Sequence, residues 1–238
     1  GGSVYIKANT IVGSGEITAS GYRDKAHEHG VGGGGRIALI ATKSDAKHDA
    51  FISNVYAYPS RKSNLGDGNY FGTGGTVYYE VPSDNHRGVL VVDGGGMTYF
   101  EYSNRYNPCT LCRTALQPAM QAELDEGFSK IVLKNYARLA VEEGVTLDIS
   151  QTELVSDTTC KIFVYGTIVT PVEYCWSNVT IYSFLNGWHV GNETTTVGEG
   201  ATVIYQNVPD TFTGNLVVAN GGVIKHRQAE NYIADITV

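Results

Sequence analysis

Residues 1–21 read GGSVYIKANTIVGSGEITASG, and this stretch decides the expected fold. Two runs rich in β-branched and aromatic residues, 4–7 and 10–12, precede a Gly-Ser-Gly turn and a third such run at 16–19. Val, Ile, Thr and Tyr favour strands, and Gly supplies the backbone conformations that turns require. Short strands separated by closely spaced turns are typical of a sandwich, a barrel or a solenoid.

An internal repeat favours the solenoid among these three folds. Residues 88–98 read GVLVVDGGGMT and residues 214–224 read GNLVVANGGVI, a match without a gap. A strand followed by a double Gly therefore recurs, as expected where each coil pairs only with its neighbours. The composition agrees with this interpretation, because 29 Gly and 16 Tyr accompany only 17% charged residues.

The chain also resembles a known family of repeats. The segment 1–21, followed by GGGGRIALI at 32–40 and GTGGTVYYE at 72–80, is similar to the Gly-rich coils of very large secreted or surface proteins. The tail GNLVVANGGVIKH at 214–226 resembles the coil that opens the next block of such arrays. The resemblance implies a right-handed parallel β-helix, either pectin-lyase-like or autotransporter-passenger-like. It implies little about activity, because a fold does not determine a function.

We therefore predict an all-β chain, a right-handed parallel β-helix with a short Cys-containing insert. Gly-rich coils are expected at 1–102, the insert at 103–127 and further coils at 128–238. The insert is expected to contain a loop and a short helix, since Pro starts the run at 118 and Gly ends it at 127. Both termini look like the middle of strands, so we expect a segment of a longer protein.

The charge balance excludes some partner classes. The formal net charge is -7 and the pI is about 5.3. Nucleic acids and anionic membrane surfaces attract basic proteins, so neither is an expected partner. No apolar run is long enough to span a bilayer, and membrane insertion is not expected. Neutral glycans, cationic partners and divalent metals stay open.

The four cysteines point to an oxidising compartment. Cys109 and Cys112 form a C-x-x-C, and Cys160 and Cys175 follow in the second half of the chain. A zinc ribbon would need a second C-x-x-C, which is missing. Two disulfides are the favoured interpretation, with three pairings open, and they predict an extracellular or cell-surface location.

Two loops carry candidate metal ligands. His27 and His29 would point to one face of an extended segment, and imidazole is a common ligand for transition metals. No third ligand is identified, and a solvated loop is the favoured interpretation. The loop 64–69 has oxygen ligands around glycines but lacks the register of a calcium loop, so a turn is favoured. We predict no cofactor, with calcium or a transition metal left open.

No catalytic residues are predicted. Acid/base cleavage of glycans uses a pair of carboxylates, whereas the acidic residues here share no convincing strand spacing. They are Asp45, Asp49, Asp93, Glu101, Glu142, Glu143 and Asp148. Tyrosines could stack on sugars or contact a protein, although ordinary strand packing is favoured. They are Tyr56, Tyr58, Tyr70, Tyr78, Tyr79, Tyr99, Tyr102 and Tyr106. Asn178 and Asn192 head glycosylation sequons, which matter in a eukaryotic source.

These features favour a non-enzymatic structural or adhesive segment of a long extracellular or surface protein. Its partners would be flanking coils or other copies of the chain, stacked end to end into a fibre by strand addition. Two alternatives stay open. One is a carbohydrate-active β-helix, a polysaccharide lyase or hydrolase, and the other is a module that binds extracellular glycans or a metal without turnover.

Overall fold

The computed structural model describes residues 1–21, 32–44, 54–60, 72–96, 113–184, 187–190, 193–205, 210–211, 214–226 and 236–237. The chain is 46% strand and 7% helix, and nearly all of its strand pairs are parallel. The predicted all-β class is therefore confirmed. No helix within the described ranges is long and apolar enough to cross a membrane.

The elements are numbered in chain order. The strands are β1 (Ser3–Ala8), β2 (Ile17–Thr18), β3 (Arg36–Ala41), β4 (Val55–Tyr56), β5 (Thr76–Glu80), β6 (Val89–Asp93), β7 (Thr114–Leu116), β8 (Lys130–Lys134), β9 (Arg138–Val141), β10 (Thr146–Asp148), β11 (Glu153–Ser156), β12 (Lys161–Val164), β13 (Thr167–Val169), β14 (Glu173–Trp176), β15 (Thr180–Ser183), β16 (Thr194–Val197), β17 (Thr202–Tyr205), β18 (Asp210–Thr211), β19 (Asn215–Val218), β20 (Val223–His226) and β21 (Ile236–Thr237). In the described residues they are accompanied by the α-helix α1 (Gln121–Asp125) and the 3-10 helices Pro82–Asp84 and Pro118–Met120.

The chain divides into two compact units. The first contains Gly1–Thr114 and Ser129–Arg138, and the second contains Ala115–Phe128 and Leu139–Val238. Each has its own buried residues, and each is described separately below.

The first unit is built on one sheet with the strand order β1-β3-β5-β6-β8. Parallel pairing aligns Val4 with Ile37 and Ile37 with Val77, so one column of apolar side chains runs across three strands. Strand β3 reads RIALIA, and its alternate residues Ile37, Leu39 and Ala41 are buried, as a strand with one face on the core requires. The short pair β2–β4 contributes Ile17 and Val55 to the same core.

Strands β5 and β6 pair in the antiparallel direction. This reversal departs from the single strand direction that the family resemblance implies. Its cause is local: the chain between the strands forms a 3-10 turn, and Asn85 and His86 follow in the left-handed region at φ 49° and 66°. The chain therefore folds back as a hairpin. Parallel pairing then resumes from β6 to β8, where Val91 aligns with Val132.

The described part of the second unit contains four sheets, ordered β20-β17-β15-β12-β9-β7, β14-β16-β19, β10-β13 and β18-β21. In the sheet β14-β16-β19, Cys175 aligns with Thr196 and Thr196 with Val217, a repeat of 21 residues. Thr146 in β10 aligns with Thr167 in β13 at the same spacing. A similar period in separate sheets means that successive stretches of chain lie one above the other.

Apolar columns fill the interior of the second unit. Ile162, Ile181 and Val203 are aligned in neighbouring strands and are almost fully buried. A second column stacks Phe163 on Tyr182, with ring centroids 4.8 Å apart and an interplanar angle of 8°. Burial of such side chains is the main source of stability available to short strands.

The described part of the predicted insert contains the expected short helix. The 3-10 helix that starts at Pro118 leads directly into α1. Leu124 is the buried residue of α1, and Gly127 follows the helix with φ at 75°. Residues 114–116, placed in the insert by the sequence, form strand β7. Leu116 in that strand is buried, which explains why the segment joins a sheet. Cys109 and Cys112 lie outside the described residues.

Candidate functional site

A cleft of about 170 Å³ lies in the first unit. Residues from β4, β5, β6 and β8, and from the stretches beside them, surround it. They are Val55, Ala57, Gly75, Val77, Tyr79, Val91, Asp93, Val132 and Lys134. Alternate residues of a strand share one face, so each strand contributes its apolar positions to the same wall. The cleft is therefore an apolar slot with one acid and one amine.

An ion pair forms the polar end of this cleft. Asp93 Oδ2 lies 3.3 Å from Lys134 Nζ, and the side chains are 12% and 48% exposed. The other carboxylate oxygen, Oδ1, accepts hydrogen bonds from the Gly95 backbone N–H at 2.8 Å and from Asn135 Nδ2 at 3.1 Å. Three groups thus hold the carboxylate in one place: the Lys134 amine, the Gly95 backbone N–H and the Asn135 side-chain amide.

Two tyrosines lie close to this polar end. The rings of Tyr56 and Tyr58 have centroids 4.9 Å apart, and the Tyr58 ring lies against the backbone of Gly95. The pKa of Tyr58 is raised to about 12. Burial is the largest cause, and the negative charge of Asp93 and the neighbouring Tyr56 add smaller contributions. The hydroxyl therefore stays protonated at neutral pH and is a hydrogen-bond donor.

The structure thus brings together part of the predicted tyrosine set. Tyr56 and Tyr58 form a pair, and Tyr79 lines the cleft. Tyr78 instead belongs to the hairpin described next. The remaining members, at 70, 99, 102 and 106, lie outside the described residues.

A second polar cluster holds the β5–β6 hairpin. Glu80 Oε1 lies 3.0 Å from His86 Nδ1, and Glu80 Oε2 accepts a hydrogen bond of 2.9 Å from the Tyr78 hydroxyl. That hydroxyl also accepts the Gly88 N–H at 3.1 Å. Burial and the hydrogen bond to Glu80 raise the pKa of Tyr78 well above its usual range, although the Gly88 bond opposes this shift. The His86 ring is 85% exposed, so this cluster lies at the surface.

The predicted metal ligands His27 and His29 lie outside the described residues, as does the loop 64–69. Within the described ranges, no group of three or more His, Cys, Asp or Glu side chains could hold a metal ion. The two metal hypotheses therefore stay predictions.

The two described cysteines are not joined to each other. Cys160 is buried, and its Sγ lies 3.4 Å from Asp157 Oδ1, whereas Cys175 is exposed, with its Sγ 3.8 Å from the Trp176 carbonyl oxygen. Bonds to Cys109 or Cys112 fall outside the described residues, so the disulfide framework stays a prediction.

The sequon residue Asn178 is exposed in a turn at φ 51°. Its backbone N–H donates to the Glu199 carbonyl at 3.0 Å. The second sequon residue, Asn192, lies outside the described residues, and glycosylation stays a prediction for both.

Strands β19 and β20 are edge strands in the described part of the second unit. Val218 aligns with the fully buried Val197 but is itself 51% exposed, because no further described strand lies above it. Val217 and Val223 are also exposed. These valines, on strands with no further described neighbour, form an apolar edge surface, and an open strand edge is a template for strand addition.

Sequence reasoning missed the pair Asp93–Lys134. In the sequence, Asp93 is one of several scattered acidic residues, and no motif distinguishes Lys134. Each residue is the last of its strand, VLVVD or KIVLK, and this shared position was the available signal. Recognising it required the pairing of β6 with β8, which are separated by the insert. No family model, curated protein or solved structure matches this chain.

Proposed function

We propose that this chain is a non-enzymatic structural segment, a stretch of right-handed parallel β-helix in a long extracellular or cell-surface protein. The observation that carries the proposal is the parallel register of the second unit, in which aligned residues are 21 positions apart in two sheets and 19 to 22 apart in a third. A coil that returns to the same column after a nearly constant number of residues is the building unit of a solenoid. Right-handedness follows the general preference of parallel crossover connections.

The side chains of the second unit fit a structural role. Its aligned apolar residues are buried in columns, and two aromatic pairs, Phe163–Tyr182 and Tyr165–Phe184, stack with ring centroids 4.8 Å and 4.1 Å apart. The Gly-rich segments of the first unit support the same role, because they resemble the coils of large surface proteins. The β5–β6 hairpin interrupts the strand direction, and we interpret it as a boundary between blocks of coils.

The proposal includes end-to-end contact through the edge surface formed by Val217, Val218 and Val223. Exposed apolar side chains on strands with no further neighbour in the described residues favour addition of another strand, either from a flanking coil or from a second copy. Glycan cleavage is the weaker alternative. It uses two carboxylates, whereas Asp93 is the one acidic residue that lines the described cleft.

Electron microscopy combined with sedimentation tests this function. The expected result is narrow rods that lengthen as protein concentration rises. Val218→Lys places a charge on the edge surface and should shorten the rods, whereas Val12→Lys, at an exposed site in the first unit, should leave them unchanged. Compact particles with a concentration-independent mass would contradict end-to-end contact.

A further inference from the structure

The cleft in the first unit has the size of a single ring. An apolar cavity of roughly 150 Å³ takes up benzene, while pockets for drug-sized ligands span about 300–1,000 Å³. At about 170 Å³, this cleft accommodates one six-membered ring or a branched hydrocarbon group. The remainder of any larger molecule would stay in solvent.

The walls of the cleft select an apolar ring. Val55, Ala57, Val77 and Val91 are buried hydrophobic residues, and Val132 packs against the same core. Their side chains offer neither donors nor acceptors. A sugar ring would lose the hydration of the hydroxyls that face these apolar side chains without gaining hydrogen bonds from them, which is unfavourable.

The mouth of the cleft offers an incoming anion one ammonium group, beside the Asp93 carboxylate. Lys134 lines the cleft, its side chain is half-exposed, and its Nζ forms an ion pair with Asp93. An ammonium group has three donors, so the bond to Asp93 leaves capacity for an incoming oxygen anion. Because Gly95 and Asn135 hold the Asp93 carboxylate, that carboxylate in turn positions Lys134 at the mouth.

We propose that this cleft binds a small cyclic or aromatic carboxylate. The ring lies against the valines and the carboxylate contacts Lys134 Nζ. This inference goes beyond the structural role, because it gives the first unit a ligand-binding site. It does not depend on end-to-end contact, so either proposal can fail without the other.

Titration of the whole chain with phenylacetate, followed through the valine methyl signals in NMR spectra, tests the site. We expect saturable shifts confined to Val55, Val77, Val91 and Val132. Phenylacetamide, which keeps the ring but lacks the charge, should bind roughly 10-fold more weakly, as expected for the loss of a charge-assisted hydrogen bond. Galacturonate, a ring with hydroxyls and a carboxylate, should also bind more weakly.

Two variants separate a specific contact from general charge attraction. Lys134→Gln should weaken phenylacetate roughly 10-fold while leaving phenylacetamide unchanged. Lys130→Gln, on the same strand but outside the cleft lining, should leave both unchanged. Unchanged methyl spectra of the free variants would show that both retain the fold.

Three results would overturn the proposal. These are the absence of saturable shifts at the valines, equal affinity of phenylacetate for Lys134→Gln and the unsubstituted chain, and tighter binding of galacturonate than of phenylacetate. The last result would identify a sugar-acid site instead.

Discussion

Gly34→Ala should strongly destabilise the first unit. A Cβ at position 34 would lie 1.9 Å from the Ala57 carbonyl oxygen and 2.4 Å from the Gly75 backbone nitrogen. These two atoms form a hydrogen bond of 2.7 Å with each other. The added methyl group would meet fixed backbone, which has no rotamer that could relieve the contact.

The size of the effect follows from two contributions. Forcing a methyl group into a packed site costs about 1–3 kcal/mol, and loss of the Gly75–Ala57 hydrogen bond costs about 1 kcal/mol more. The free energy of unfolding should therefore fall by about 2–4 kcal/mol. For a chain of this length, that corresponds to a Tm lower by about 5–15 °C.

Thermal unfolding followed by circular dichroism measures the loss, and hydrogen exchange at 54–60 and 72–76 locates it. Gly15→Ala is the matched control, because no atom lies within 4 Å of a Cβ built there. We expect its Tm to stay unchanged or to rise slightly, since alanine restricts the unfolded chain. Equal Tm values for the two variants would refute the close backbone approach at Gly34.

Three further predictions concern the second unit. Burial raises the pKa of Tyr174 to about 12; a raised folded-state pKa contributes stability that is complete below pH 10 and is lost as pH rises towards 12. Urea unfolding should therefore show that Tyr174→Phe removes an alkaline loss on the order of 2 kcal/mol at pH 11.5, and an unchanged alkaline slope would contradict this. A double-mutant cycle of Phe163→Leu and Tyr182→Leu should give a coupling of about 0.5–1.5 kcal/mol in the same assay, because the rings stack, and strict additivity would contradict the contact. After mild reduction, iodoacetamide should label Cys175 in the folded chain and Cys160 only after unfolding, as read by peptide mass spectrometry; an unreactive Cys175 in the reduced chain would contradict its exposure.

The strand composition could be predicted from sequence because it depends on local preferences. Strands β3 and β5 occur where GGGGRIALI and GTGGTVYYE predict them, and α1 lies between Pro118 and Gly127. Each of these elements is specified by neighbouring residues: apolar alternation, a turn glycine or a helix-starting proline.

The hairpin and the cleft could not be predicted in this way. The reversal between β5 and β6 depends on two residues, Asn85 and His86, that adopt the left-handed region without being glycine. The polar end of the cleft depends on the pairing of β6 with β8 across a long separation in sequence, which brings Asp93 to Lys134. Contacts of this kind follow from strand order, which local patterns do not specify.

The 21-residue parallel register is the central claim, and a thiol cross-link tests it most directly. Thr196→Cys would place a cysteine opposite the native Cys175, on the neighbouring strand about 4.8 Å away. Val217→Cys would place it one strand further, at roughly twice that distance. Dibromobimane becomes fluorescent when it bridges two close thiols, and peptide mapping identifies the bridged pair. We predict a Cys175 cross-link in Thr196→Cys and none in Val217→Cys; the reverse pattern, or equal yields, would contradict the register and the parallel β-helix built on it.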